Sequence, residues 1–282
     1  AKNYNPNATN DDGSCMYMLP ETGGAPSSKP RLFLETKHKE RFVTIETPLY
    51  TALISSSGGG SIVGFDLKKY LTVDSSFVNL ISDQNSKNLL ISFQNVDGAF
   101  VSMKEPWLTN ETRENVQVFS GPYLLKFSSI YEGASIEKTL TFDPNSYVIK
   151  VSTDLTSISD KVLGDFCSIS WKGGLPPTEP NTKDDVTYFN GYVYQAGDYY
   201  QFKKVAPDIE KTQDGSLEAV RGKTDWVAIR SKYFTSVFLP SEKSDLCWVG
   251  LKEEKLASLS VPLYSMGMGF NKNQTSSLSL YL

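Results

Sequence analysis

Residues 122–142 read Pro122-Tyr123-Leu124-Leu125-Lys126-Phe127-Ser128-Ser129-Ile130-Tyr131-Glu132-Gly133-Ala134-Ser135-Ile136-Glu137-Lys138-Thr139-Leu140-Thr141-Phe142. Two runs, Pro122–Tyr131 and Ser135–Phe142, flank a short connection, Glu132-Gly133-Ala134. In the second run Ile136, Leu140 and Phe142 share one side, and Glu137, Thr139 and Thr141 share the other. Side chains alternate between faces along a strand, so this pattern predicts a half-buried strand. Lys138 is the exception, because it interrupts the apolar side. The glycine-containing connection completes a hairpin signal.

The same grammar extends in both directions. Downstream, Asp143-Pro144-Asn145-Ser146 is a turn and Tyr147–Leu155 a strand. Upstream, Phe42–Glu46 and Leu49–Ser55 flank Thr47-Pro48, and Gly58-Gly59-Gly60 leads into Ser61–Leu67. Val78–Ile81 follows, then Asn88–Phe93, which is closed by Asp97-Gly98. Further on, Asp214-Gly215 marks a hairpin between segments around Val205 and Leu217, and Trp226–Leu239 is a long apolar stretch ending at Pro240. Cys247–Leu251, Leu256–Leu263 and Ser276–Leu282 complete the set. Helical signals are confined to a turn or two at Asn110–Asn115 or Ser159–Leu163. About fifteen strands or more separated by short turns predict an all-β chain, which resolves as two face-packed sheets. No fixed-period repeat points to a propeller.

Composition narrows the function. Of 282 residues, 15 Phe, 15 Tyr and 4 Trp favour strands. The formal charge of −4 argues against wrapping nucleic acid and against electrostatic membrane binding. A single histidine, His38, excludes paired-imidazole catalysis and a histidine-based zinc site. The three cysteines, Cys15, Cys167 and Cys247, form no CxxC; Cys167 and Cys247 are read as free buried thiols in preference to a disulfide. No apolar run reaches the length of a membrane-spanning helix, and no signal-peptide pattern is present. No metal site, cofactor site or catalytic residue is predicted. Gly58-Gly59-Gly60 is read as a flexible hairpin connection, since a strand follows it where a phosphate loop needs a helix. Asn10-Asp11-Asp12-Gly13 and Asp184-Asp185 lack the acidic spacing of a calcium loop and are read as solvated turns. Asn7, Asn110 and Asn273 open chance sequons. Tyr188, Phe189, Tyr192, Tyr194, Tyr199, Tyr200 and Phe202 form the densest aromatic patch. Tyr188, Tyr192, Tyr194 and Tyr199 are therefore candidate cleft or partner contacts, weighed against ordinary cross-strand pairs in a hairpin.

Residues 1–40 differ in kind. They are rich in Asn, Asp, Gly, Pro, Ser and Lys and read as a tail or linker, leaving 41–282 as the folded domain. Asn3–Cys15 resembles a short repeat of secreted bacterial surface proteins, with Lys2 where that repeat carries a cysteine. Leu19-Pro20-Glu21-Thr22-Gly23-Gly24 resembles a sortase signal, but it stands near the N-terminus, so a tag, a ligation scar or coincidence is preferred. These residues alone suggest a cell-surface module.

Thr224-Asp225-Trp226-Val227-Ala228-Ile229-Arg230-Ser231-Lys232-Tyr233-Phe234, running on to Pro240, resembles the Trp-Val-Ala, Lys-Tyr-Phe, Pro signature of the periplasmic domain of YidC-type membrane protein insertases. Ile45–Ser55 followed by Gly59–Tyr70 is similar to the start of that domain, and Ser277–Leu282 to its last strand. The resemblance covers roughly Phe42–Leu282 and implies a β-supersandwich of galactose mutarotase type, with two large antiparallel sheets and few short helices. It implies a periplasmic location within an inner-membrane protein. It also implies a non-catalytic role accessory to insertion and folding, with the Sec translocon, its accessory subunits and nascent membrane proteins as partners. In the family, insertion resides in a transmembrane bundle; the chain is thus expected to be an excised periplasmic domain, tethered only through segments it lacks. Trp226, Tyr233 and Phe234 are signature residues expected to pack the core, and Trp226→Ala is expected to cost about 3–5 kcal/mol if the ring is buried. Mutarotation needs an acid and a base across the sugar ring, usually two histidines and a glutamate, which one histidine cannot supply. The rival reading is a carbohydrate-binding or polysaccharide-acting β-sandwich.

Overall fold

The computed structural model describes residues 38–81, 85–202, 211–212, 215–256 and 259–282. Of the described residues 59% lie in strands and 6% in helices, so the chain is all-β. In chain order the first strands are β1 Phe42–Glu46, β2 Tyr50–Ser55, β3 Ser61–Leu71, β4 Phe77–Asn79, β5 Leu90–Gln94, β6 Phe100–Ser102 and β7 Leu108–Thr109. Next come β8 Asn115–Gln117, β9 Tyr123–Tyr131, β10 Ala134–Phe142, β11 Val148–Asp154, β12 Phe166–Trp171, β13 Asn190–Gln195 and β14 Asp198–Phe202. The last are β15 Lys211–Thr212, β16 Gly215–Arg230, β17 Thr235–Pro240, β18 Ser244–Leu256, β19 Leu259–Asn271 and β20 Ser276–Tyr281. Among the described residues helix is limited to one or two turns at Thr156–Lys161, Thr182–Asp185 and Val186–Tyr188.

These strands make two sheets. The smaller runs β4-β3-β2-β1-β8, with β8 parallel to β1 and the other pairs antiparallel. The larger has fifteen strands, in the path β6-β5-β12-β19-β18-β16-β17-β20-β11-β10-β9-β7, with β13 and β15 joined to it at β16 and β14 paired to β13. One apolar core takes Ile45, Ile54 and Phe65 from the small sheet and Phe127, Leu140, Ile149, Ile169, Phe238 and Leu280 from the large one. Each such side chain contributes about 1.5–3 kcal/mol when fully buried. β20 is enclosed on both edges, pairing β11 through Val151–Leu278 and β17 through Phe238–Leu280.

The β9–β10 hairpin forms as expected, but its connection has two residues, since Ala134 already pairs with Tyr131. Glu132 and Gly133 both have positive φ, at 47° and 81°, the backbone twist that suits a right-twisted hairpin. The helical turn near Ser159 is present within Thr156–Lys161, whereas Asn110–Asn115 is not helical. There Glu111 is buried and accepts bonds from the guanidinium of Arg113, the Tyr123 hydroxyl and the amides of Thr112 and Arg113. That donor set, led by the guanidinium, holds its carboxyl well below the usual carboxylate range. The long stretch 226–239 is two strands, split by a turn in which the Ser231 amide donates to the Phe234 carbonyl at 2.8 Å. Asp214 and Val205 lie outside the described residues, as does the segment 1–37; the pairing of Thr212 with Gly215 brackets the expected hairpin. The Glu40 carboxylate accepts from Ser57 Oγ at 2.7 Å.

Gly58-Gly59-Gly60 is a packed turn and not a flexible one. All three residues are buried with positive φ. A β-carbon would fall 2.7 Å from the Trp107 ring at Gly59 and 2.5 Å from the Phe127 ring at Gly60.

Candidate functional site

The aromatic patch folds mainly as the β13–β14 hairpin, closed by Ala196 and Gly197 at positive φ. Alternation sends Val193 into the core and turns Tyr192 and Tyr194 to the other face. Tyr194 is paired with Tyr199, which brings a third ring to that face. The Tyr192 and Tyr199 rings lie 6.4 Å apart, and Tyr192 Oη accepts from Gln201 at 3.3 Å. Tyr194 stacks on Trp226 of β16, with centroids 5.4 Å apart and planes within 4°. Tyr188 is not part of this face. It belongs to a neighbouring cluster in which Lys232 Nζ lies 5.3 Å from the Tyr188 and Tyr233 rings and 2.8 Å from Asp184. The Asp184 carboxylate raises the Lys232 pKa. Asp185 is buried and accepts from the Thr178 and Glu179 amides, against the solvated reading, whereas Asp184 is exposed and pairs with Lys232.

Of the signature residues Phe234 packs against the core, while Trp226 and Tyr233 do not fill it. Val227, Ala228 and Ile229 take the buried positions on β16, leaving Trp226 half-buried on the aromatic face. Tyr233, in the β16–β17 turn, is 58% exposed. Phe234 is half-buried and meets Tyr70 edge-on at 5.8 Å.

A cleft of about 310 Å³ opens between β11/β20 and β12/β19. Val151, Ile169, Met268 and Leu278 are among its apolar lining residues, with Glu242, Lys243, Asp245 and Gln274 among the polar ones. Asp245 is paired with Lys223 at 2.8 Å, Lys243 with Asp225 at 2.8 Å, and Glu242 accepts from Gln274 at 3.1 Å. No sequence motif marks this cleft, because strands remote in the chain build it.

Lys138 is the most unusual ionisable group. It is fully buried, donates to the carbonyls of Gly58 at 2.6 Å and Leu89 at 2.7 Å, and lies 5.6 Å from the Trp107 ring. Burial pushes its pKa down to about 7. A lysine on the apolar side of an alternating strand was the visible signal. Cys167 and Cys247 are free and buried, and burial pushes the Cys167 thiol up to about 12. Among the described residues no group of three His, Cys, Asp or Glu could hold a metal ion.

The rings thus offer stacking surface and phenol hydroxyls. The family model of the YidC periplasmic domain matches residues 42–280. The chain belongs to the YidC periplasmic domain family. Such a domain is periplasmic and part of an inner-membrane protein. The membrane protein insertase YidC of Chlorobaculum parvum is 28% identical over 209 residues, covering 73% of this chain and 35% of that protein. The YidC of Prosthecochloris aestuarii is 26% identical over 266 residues, covering 92% of this chain and 44% of that protein. The chain therefore spans less than half the length of these relatives. Among solved structures, a protein described as an aldose 1-epimerase from Escherichia coli K12 superposes with a TM-score of 0.47 at 8% identity, covering 86% of this chain and 99% of that one. The 4-alpha-glucanotransferase of Thermococcus litoralis gives a TM-score of 0.45 at 9% identity, covering 86% and 39%. Likeness at that level bears on no point of chemistry.

Proposed function

We propose that this is a non-catalytic domain of a membrane protein insertase, accessory to insertion and folding of inner-membrane proteins. Its partners are nascent membrane proteins and the Sec translocon with its accessory subunits. The reading is carried by one observation: the YidC periplasmic match spans nearly the whole strand-rich region, 42–280. The β13–β14 hairpin is the contact surface in this reading, since rings with an apolar body and a polar tip suit a protein interface. The test places Tyr192→Ser, Tyr194→Ser and Tyr199→Ser together in the full-length insertase. Co-purification of Sec subunits is expected to fall while the protein still accumulates in the membrane. Unchanged co-purification would remove the hairpin from the role.

One observation favours a second reading. The cleft combines apolar floor residues with amide, hydroxyl and carboxylate groups, a lining that suits a saccharide. A glycan array with a thermal-shift screen separates the two, since saturable stabilisation by a single sugar at micromolar concentration is expected only under the second.

A further inference from the structure

Four exposed apolar side chains gather on one hairpin: Tyr70 (50% exposed), Leu71 (58%), Val73 (76%) and Phe77 (51%). β3 pairs with β2 as far as Leu67, opposite Tyr50, and its remaining residues run on past that register. Leu71 pairs instead with Phe77 at the start of β4, so the β3–β4 hairpin overhangs β2. The turn is braced from within. The Thr72 amide donates to the Ser76 carbonyl at 2.8 Å and the Ser75 amide to the Thr72 carbonyl at 3.0 Å. The Asp74 carboxylate accepts from the hydroxyls of Thr72 and Ser76. Tyr70 meets Phe234 edge-on at the base, beside exposed Lys69. The result is a projection whose turn groups bond to one another while Leu71, Val73 and Phe77 stay exposed.

Exposed apolar side chains gathered on one projection point to a contact surface, where singly scattered ones do not. The domain is periplasmic and part of an inner-membrane protein, so a bilayer is the apolar medium always within reach. The order of residues also fits a lipid interface. Leu71 and Phe77 pair at the end of the hairpin, Val73 stands in the turn beside an Asp74 carboxylate already bonded by two hydroxyls, and a tyrosine and a lysine stand nearer the base, at headgroup level. We infer that Leu71, Val73 and Phe77 at the β3–β4 tip enter the periplasmic leaflet of the inner membrane and fix how the domain meets it. With a net charge of −4 the chain has no general attraction to anionic lipid, so the contact is apolar and holds at high salt. It involves neither the aromatic hairpin nor the cleft.

The experiment is flotation of the purified 282-residue chain with vesicles of phosphatidylethanolamine and phosphatidylglycerol, at low and high salt. The chain is expected to float with the vesicles in both salts. Leu71→Ser, Val73→Ser and Phe77→Ser together weaken this by at least about tenfold, as loss of three buried apolar groups implies. Tyr192→Ser, Tyr194→Ser and Tyr199→Ser together leave it unchanged, which separates this contact from the docking reading. Because the three tip residues are exposed, their variant is expected to melt with the parent. Should it not, an environment-sensitive dye on Val73→Cys in a Cys15→Ser background reads the same event, a blue shift with vesicles supporting insertion. The inference is overturned by failure to float at millimolar lipid, by equal flotation of the tip variant, by loss at high salt or by an unshifted dye. A tip-dependent dimer without flotation, or a tip-dependent protein partner without flotation, also overturns it.

Discussion

Lys138 shows how one residue couples a strand to two distant turns. Its ammonium holds the Gly58 and Leu89 carbonyls from a position that alternation assigns to the core. The folded pKa of about 7 lies well below the value near 10.4 of an unfolded lysine. Between those values the unfolded chain binds more protons, so this residue makes stability rise with pH. Lys138→Met is expected to abolish that rise. Denaturant midpoints measured from pH 7 to 10 for both proteins check it, the difference reporting Lys138 alone. The two buried thiols make a second case. β19 separates β12 from β18, and Cys247 and Ile169 both pair with Met268. Two strand spacings of about 4.8 Å put Cys167 and Cys247 beyond the ~7 Å reach of a disulfide. In a Cys15→Ser background both are expected to ignore a thiol reagent in the native protein and to react once it is denatured. The exception at Lys138 was legible in the sequence. Its partners were not, because they come from segments some fifty and eighty residues earlier in the chain.

At the scale of elements, hairpins were the legible part, since alternation and glycine-containing turns are local signals. The β9–β10 pair follows its sequence pattern apart from one residue of loop. What was not legible is which side of a strand another sheet covers. Trp226 illustrates this: a large apolar residue in an apolar run, it ends half-buried on Tyr194 while Trp171 is fully buried. Trp171→Ala is therefore expected to cost about 3–5 kcal/mol and Trp226→Ala about 2 kcal/mol. Urea unfolding of both variants checks the order. The triple-glycine turn gives a sharper case. At Gly60 a β-carbon meets both a φ of +96° and the Phe127 ring. Gly60→Ala is expected to lose about 2–4 kcal/mol, read as a drop in melting temperature.

For the whole molecule, composition and strand count were enough for the all-β class and the two-sheet layering. Strand order was beyond them, because pairings such as Phe166–Asn271 and Thr44–Asn115 join residues far apart in sequence. The cleft shares that fate, as do the separate positions of Tyr188 and the other three tyrosines. β20 carries the largest consequence of this order. Ending the chain after Thr275 would expose an edge of β11 and of β17 in the middle of the large sheet. Such a truncated chain is expected to be degraded by dilute protease under conditions where the intact one survives.

Ribosomes deliver β20 after every other strand of this fold. The gap between β11 and β17 stays open until Ser276–Tyr281 has emerged, so the large sheet closes only when its last strand arrives. Until then the half-built sheet carries two unsatisfied edges, one on β11 and one on β17.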